Sequence, residues 1–135
     1  MKELAEFLTR AQRALHLTRE SLAVCLVTSA QIARWNRTYR GKRGPTDVLS
    51  FPAEAMPRAR RTPGLAPRAV GYLGDIAIAP AVARRNARRF GRTFAQEMRI
   101  LILHGILHLM GYDHETDTGQ MDRREQLLRR KLELV

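Results

Sequence analysis

The sequence predicts an α/β (α+β) fold in which helices cover a small mixed sheet within one compact domain, residues 1–135. A length of 135 residues suits a single domain. Apolar residues recur at helical spacing in five segments, whereas short apolar or alternating runs elsewhere indicate strands. These segments follow the order helix, strand, helix, strand, strand and three helices. Such an order favours a sheet layered against helices.

The first two predicted elements are a helix and a strand. Residues 2–16 carry apolar side chains on one stripe, which predicts a short amphipathic helix. Residues 22–27 form a continuous apolar run that is typical of a buried strand. Cys25 lies inside this run and is therefore predicted to be a packed thiol rather than a nucleophile.

A second helix and a second strand follow. Ser29 is expected to cap a helix over residues 30–39, and Gly41 is expected to end it. Residues 46–51 alternate between polar and apolar, which predicts a strand that ends at Pro52.

The C-terminal half begins with a mobile, basic loop, since residues 53–68 are rich in Pro, Ala and Arg. One or two strand segments are predicted within residues 70–79, and Pro80 suits the first position of a helix that Gly91 ends. Thr93 is expected to cap the next helix. A last helix over residues 121–134 takes most of its apolar stripe from Met121, Leu127, Leu128 and Leu132.

The formal net charge of +11 predicts a polyanionic partner, RNA or DNA. Nearly all cations are arginines, which form bidentate hydrogen bonds with phosphate. Arginine-biased codon usage would explain the preference for Arg over Lys but not the excess of cations over acids. One predicted helix concentrates this charge, since its basic face contains Arg84, Arg85, Arg88 and Arg89.

Neither a membrane nor an oxidising compartment is expected for this chain. No apolar run approaches the ~20 residues that a membrane-spanning helix needs, and the N-terminus does not have the pattern of a signal peptide. Cys25 is the only cysteine, which excludes an internal disulfide and fits a reducing cytoplasm. The expectation is a cytoplasmic protein without a membrane partner.

Three of the four histidines lie in one segment of eleven residues, 104–114. His104 and His108 are four residues apart on an apolar helix and so project from the same face. Gly111 can adopt the left-handed conformation that ends a helix, and this turn would bring His114 towards the pair. Three imidazoles with an open fourth position are typical of a catalytic zinc site. We therefore predict a Zn²⁺ site at the end of this buried helix.

The residues alone leave two functions open for such a zinc site. The histidine spacing equals that of the zinc peptidase signature H-E-x-x-H-x-x-G-x-x-H, but Gly105 replaces the Glu that serves as the general base. A peptidase would therefore lack its main catalytic residue. Alternatively, the chain is a non-catalytic assembly factor in which zinc only fixes the helix to the following turn and the arginines bind RNA.

If the zinc site is hydrolytic, proton transfer must come from a residue other than Gly105. Asp113 and Glu115 lie nearest in sequence, and Asp75 could approach if its strand end faces the helix. Each is equally compatible with a role in orienting a histidine ring. Asp47 is predicted to be a hydrogen-bonding residue of a turn or strand start.

The sequence His104-Gly-Ile-Leu-His108-Leu-Met-Gly-Tyr-Asp-His114 resembles the H-G-x-L-H-L-x-G-Y-D-H signature of the YbeY family of bacterial rRNA-processing endoribonucleases. A second motif of that family is similar to Tyr39-Arg40 followed by residues 45–52. A third resembles residues 73–76, Leu-Gly-Asp-Ile. The three motifs occur in family order over roughly residues 36–114, so the chain is identified as a member.

The resemblance implies a zinc-dependent endoribonuclease that hydrolyses RNA phosphodiesters. It further implies roles in maturation of the small-subunit rRNA 3′ end and in ribosome quality control, with rRNA, ribosomal particles and ribosomal proteins as partners. The implied metal ligands are His104, His108 and His114. Arg40 is implied to be catalytic, because it would bind or polarise the scissile phosphate.

Overall fold

The computed structural model describes residues 2–53, 72–113 and 117–134, and within these ranges it contains five α-helices and three strands. A short 3-10 turn, Arg19–Ser21, precedes the first strand. This architecture confirms the predicted α+β class. The elements are α1 (Lys2–Ala14), β1 (Leu22–Leu26), α2 (Ser29–Arg40), β2 (Val48–Pro52), β3 (Gly74–Ile78), α3 (Pro80–Phe90), α4 (Phe94–Leu109) and α5 (Gln120–Lys131).

The described strands form one mixed sheet in the order β1-β3-β2. The central strand β3 is parallel to β1, with Leu22 opposite Gly74 and Leu26 opposite Ile78. It is antiparallel to β2, with Val48 opposite Ile78. The prediction of a small mixed sheet is therefore confirmed.

Helices α4 and α2 cover opposite faces of this sheet. The Ser50 hydroxyl in β2 donates to the Gly105 carbonyl oxygen in α4 over 3.2 Å. The next residue, Phe51, instead makes edge-to-face contacts with Trp35 and Tyr39 of α2, at ring centroid distances of 5.6 and 5.2 Å. Successive side chains of a strand point to opposite faces, so the two helices must lie on opposite sides.

The core lies between α4 and the sheet, with α1, α3 and α5 packed around α4. Thr93 begins α4 with a capping box, because its hydroxyl accepts from the Gln96 backbone N–H and the Gln96 side chain accepts from the Thr93 N–H. This confirms the predicted cap. None of the helices in the described residues is long and apolar enough to cross a membrane.

Several predicted boundaries shift by one or two residues for local reasons. Thr28, not Ser29, caps α2, since the Thr28 hydroxyl accepts from the Gln31 N–H at 3.1 Å and Ser29 is already helical. Strand β2 begins at Val48 because Asp47 forms a turn, accepting from the Val48 N–H over 2.8 Å. This confirms Asp47 as a strand-start residue.

The prediction of β1 as a buried strand with a packed Cys25 is wrong. Strand β1 pairs only with β3 among the described strands, so it forms an edge. Cys25 is exposed, and Leu26 is 42% exposed. A continuous apolar run does not distinguish an edge strand from a central one, because the number of neighbours depends on the assembled sheet.

The structure tests only some of the predictions for the C-terminal half. A single strand, β3, occurs in the described part of residues 70–79, and the predicted loop 53–68 lies outside the described residues beyond Ala53. Leu127 is 51% exposed and does not belong to the buried stripe of α5. The buried stripe contains Met121, Glu125, Leu128 and, just beyond the helix, Leu132.

Candidate functional site

The last ten residues of α4 are almost entirely buried. From Ile100 to Leu109, every residue except His104 and His108 is buried, and these two are half-buried. Their spacing of four places both rings on one face of the helix. This hydrophobic helix therefore reaches the surface in its C-terminal half through two imidazole rings.

The two rings converge on one another. The Nε2 atoms of His104 and His108 are 3.1 Å apart, and the rings meet edge to face with centroids 4.6 Å apart. Two donors that share a tetrahedral zinc ion at about 2.0–2.1 Å would lie about 3.3 Å from each other. The positions of both Nε2 atoms thus fit a shared metal ion.

A buried carboxylate on α5 orients the first of these rings. The Nδ1 atom of His104 lies 2.8 Å from Glu125 Oε1, and the other carboxylate oxygen accepts from the Arg129 guanidinium over 3.1 Å. Burial by itself would raise the pKa of Glu125, but the hydrogen bond and charge of His104, together with Arg129 and His108, outweigh burial and lower it. Glu125 is therefore ionised at neutral pH.

The ionised carboxylate selects the tautomer of His104. An ionised carboxylate can only accept, so Nδ1 of His104 must carry the proton that it donates. In the neutral ring the lone pair then lies on Nε2, which points towards His108. A carboxylate that holds a histidine in this way is the usual outer partner of a metal-binding imidazole.

The third predicted ligand, His114, lies outside the described residues, as does Glu115. Within residues 2–53, 72–113 and 117–134, no three His, Cys, Asp or Glu side chains form a group that could hold a metal ion. The turn that leads to His114 is as predicted: Gly111 has φ of +101°, and its N–H donates to the His108 carbonyl over 3.0 Å.

Gly105 allows α4 to lie directly against the central strand. A Cβ at this position would lie 2.9 Å from Cγ2 and 3.0 Å from Cδ1 of Ile76, closer than packed carbons can approach. The same position in zinc peptidases carries the general-base Glu. Because a side chain there would collide with β3, position 105 cannot supply that general base, which further weakens the peptidase alternative.

Arg40, the predicted catalytic residue, is the exposed last residue of α2. It lies on the opposite face of the sheet from the histidine pair but at the same end. Phe51 connects the two faces there: its ring contacts Tyr39, and its carbonyl lies 2.2 Å from where a Cβ of Gly74 would be. Leu109 of α4 approaches the same point to 2.9 Å.

The acidic residues considered for proton transfer occupy different places. Asp75 shares a sheet face with Phe51 and accepts a hydrogen bond from Tyr72, so it points away from α4. Partial burial and the nearby charge of Asp75 both raise the pKa of the Cys25 thiol on that face, which disfavours the nucleophilic thiolate. Asp113 is exposed beyond the end of α4, where its carbonyl accepts from the Asp117 N–H over 3.0 Å.

Sequence reasoning missed Glu125 and Arg129. Glu125 interrupts the apolar stripe of α5, since Met121 lies four residues before it and Leu128 three residues after it. A carboxylate in a buried stripe requires a partner. That pattern could have identified Glu125 as a buried ion, but it could not have identified His104, 21 residues away, as the partner.

Comparisons with known proteins agree with the motifs. The model of the family described as Endoribonuclease YbeY matches residues 1–133. A relative named endoribonuclease YbeY from Koribacter versatilis is 41% identical over 133 residues, covering 98% of this chain and 78% of the relative. One of the same name from Nautilia profundicola is 42% identical over 118 residues, covering 87% and 76%.

A solved structure supports the fold as well. The solution structure of a Thermotoga maritima protein superposes with a TM-score of 0.59 at 30% sequence identity. The match covers 97% of this chain and 82% of that protein. The similarity therefore extends across nearly all of the sequence rather than over the histidine motif alone.

Proposed function

Since this chain belongs to the YbeY family of endoribonucleases, we propose that residues 1–135 form one metal-dependent domain that hydrolyses RNA phosphodiesters. The observation that carries the proposal is the orientation of His104 by a buried, ionised carboxylate, with its Nε2 atom converging on that of His108. A histidine pair with a purely structural role in the core would not need an oriented, half-exposed lone pair.

The residues that would hold the metal ion are His104 and His108, through Nε2, together with the predicted ligand His114. The donor set of imidazoles suits zinc. When bound, zinc would supply Lewis acidity towards a phosphate oxygen and lower the pKa of a bound water. The chain itself contributes Glu125, which keeps the proton of His104 on Nδ1, and Arg129, which fixes that carboxylate.

Arg40 would contact the phosphate backbone of the substrate rather than the metal ligands. It lies on α2, across the sheet from α4, but both helices end beside the Pro52–Gly74 end of the sheet. An RNA strand that follows this end of the sheet would meet Arg40 and the histidine pair in succession. Arginine suits such a contact because its guanidinium binds phosphate through two hydrogen bonds.

We propose rRNA, within ribosomal particles, as the physiological substrate, with maturation of the small-subunit rRNA 3′ end as the process. The net charge of +11 supports a long polyanion over a small substrate. Ribosomal proteins would then be neighbours of the chain on such particles. We likewise propose zinc as the metal ion and the cytoplasm as the compartment in which the protein acts on rRNA.

The test is cleavage of a precursor fragment of small-subunit rRNA by metal-stripped protein, zinc-reconstituted protein and reconstituted His108→Ala and His114→Ala variants. Cleavage is expected only with zinc and with both histidines present. The matched control is His16→Asn, which changes the remaining histidine at an exposed position with φ of +58°, a conformation that Asn tolerates. This control should cleave normally.

Two outcomes would contradict the proposal. RNA binding without metal-dependent cleavage in any sample would leave the non-catalytic assembly factor as the better hypothesis. Hydrolysis of a peptide library that is lost in His108→Ala would restore the peptidase, despite the lack of space at Gly105.

A further inference from the structure

Helix α3 presents a concentrated basic face. Four exposed arginines lie on it, and no acidic residue occurs from Pro80 to Phe90. A helix turns by about 100° per residue, so the four side chains fall within an arc of about 140°. The residues of this basic face are Arg84, Arg85, Arg88 and Arg89.

Across residues 2–53, 72–113 and 117–134, no neighbouring element neutralises this basic face. In the described part of the chain, none of its four arginines forms an ion pair. Two acidic residues on elements beside α3 have other partners: Asp47 accepts from Asn86 over 3.1 Å, and the buried Glu97 pairs with Arg92 over 2.9 Å. Within the part of the chain that the structure describes, these four exposed cations therefore have no counter-charge.

The helix dipole explains only part of this arrangement. Cations are favoured in the last turn of a helix, which accounts for Arg88 and Arg89. Arg84 and Arg85 lie in earlier turns, and each is four residues from another arginine, a spacing at which like charges repel. This repulsion disfavours the isolated helix, and a bound polyanion would relieve it.

An exposed aromatic ring stands at the end of the same helix. Phe90 is 56% exposed, and the guanidinium carbons of Arg89 and Arg92 lie 5.6 and 5.3 Å from its ring centroid. Exposed aromatic rings beside guanidinium groups are the platforms on which proteins stack unpaired bases. The ring therefore favours a single strand over other anions. A small counter-ion would not require an aromatic ring, and a duplex has no unstacked base to place on it.

We propose that the basic face of α3 and Phe90 form a second RNA-contacting surface, which binds a single-stranded segment of the substrate away from the histidine pair. This inference rests on the proposed function for the identity of the nucleic acid. The guanidinium carbon of Arg84, on the basic face, lies 4.3 Å from the ring centroid of Phe94, the first residue of α4. His108 lies 14 residues further along α4, so at about 1.5 Å per residue the histidine pair and this part of the basic face are separated by about 21 Å along that helix. Stacked nucleotides at about 3.4 Å each would span this distance in about six residues of RNA.

The first test measures binding of a fluorescent 16-nucleotide single-stranded RNA to metal-free protein by anisotropy at several salt concentrations. The variant Arg85→Gln/Arg88→Gln/Arg89→Gln removes three charges from the basic face. Loss of three phosphate contacts is expected to reduce the slope of log K against log salt by about 2, at about 0.7 per single-stranded contact. A variant with the same net charge, Arg13→Gln/Arg19→Gln/Arg130→Gln, changes exposed arginines elsewhere and serves as the matched control.

The control should keep a slope close to that of the original protein. Equal loss in both triple variants would overturn the proposal, because the arginines would then act only through total charge. Loss of binding to anionic phospholipid vesicles or polyglutamate, with RNA binding unchanged, would overturn it as well and assign the basic face to another partner.

The second test isolates the ring. Phe90→Ala should weaken binding of the 16-nucleotide RNA by roughly five- to one-hundred-fold, the usual effect of removing one stacked base. Phe90→Leu keeps an apolar side chain without a π face and should weaken binding nearly as much. Because Phe90 is exposed, both variants should keep the original circular dichroism spectrum and thermal midpoint. Unchanged affinity in both variants would exclude stacking on this ring.

RNA length distinguishes this inference from the proposed function. A stacked RNA of four nucleotides spans about 14 Å, less than the separation of about 21 Å, so its cleavage should be the same in the triple variant and the original protein. For the 16-nucleotide RNA, the triple variant should have a higher KM than the original protein and nearly the same kcat. If no RNA is cleaved but the binding effects persist, the proposed function fails and the second surface remains. Equal KM values for the longer RNA would refute the second surface alone.

Discussion

Replacing Gly105 by alanine is expected to destabilise the protein, although alanine is the better helix former. Gly105 lies in the interior of α4, four residues before its end, where glycine normally costs about 1 kcal/mol relative to alanine. In this structure the alanine methyl would lie 2.9 Å from Cγ2 of Ile76 and 3.0 Å from its Cδ1. The result therefore depends on whether Ile76 can move.

Two opposing contributions set the change in the free energy of unfolding on Gly105→Ala. Ile76 is fully buried on the central strand, and its branched side chain has one strongly preferred χ1 rotamer, so it cannot yield freely. Overpacking of this kind costs about 1–3 kcal/mol. Subtracting the helical gain of about 1 kcal/mol leaves an expected destabilisation of about 0–2 kcal/mol for Gly105→Ala.

A double-mutant cycle with Ile76→Ala separates these contributions by urea unfolding. Ile76→Ala should cost about 2–5 kcal/mol by itself, because it leaves a cavity. In that background the alanine at 105 meets open space, so Gly105→Ala should stabilise by about 1 kcal/mol. The two substitutions should thus be coupled by about 1–3 kcal/mol.

Additive effects would refute the close-packing argument. If Gly105→Ala stabilises the original protein by the full helical gain, α4 does not lie against Ile76 as described. The explanation for the missing general base at position 105 would then fail with it, because a longer side chain could also be accommodated there.

Three further predictions concern the metal site and the framework around it. Glu125→Gln should weaken zinc affinity by roughly 10–100-fold in a chelator competition, because a neutral amide no longer fixes the His104 tautomer. The control is Leu127→Gln, at an exposed position of the same helix, and equal zinc affinities of the two variants would show that the carboxylate is not needed. Thr93→Ala should lower the free energy of unfolding by about 0.5–2 kcal/mol in urea through loss of the capping box, and no change would mean that the cap is replaced by water. Gly74→Ala should lower the thermal midpoint more than Gly105→Ala, since φ is +143° and the new Cβ would lie 2.2 Å from the Phe51 carbonyl oxygen; a smaller shift would contradict the backbone contact.

Features that depend on local interactions could be predicted from the amino-acid sequence. The helix caps and ends at Thr93, Gly41 and Gly91 could be predicted because each involves atoms only a few residues apart. The i, i+4 spacing of His104 and His108 placed both rings on one helix face for the same reason. Family membership could also be inferred, since each of the three motifs lies within a short stretch of sequence.

Contacts between residues that are distant in sequence could not be predicted and became visible in the folded protein. The edge position of β1, and with it the exposure of Cys25, depends on which strands pair. The partnership of Glu125 with His104 depends on how α5 packs against α4, and the need for glycine at 105 depends on how closely β3 approaches. None of these contacts has a signature within a short sequence window, because packing joins side chains whose separation along the chain carries no periodicity. The local pattern therefore identified the histidines, whereas the assembled core supplied the carboxylate that orients one of them.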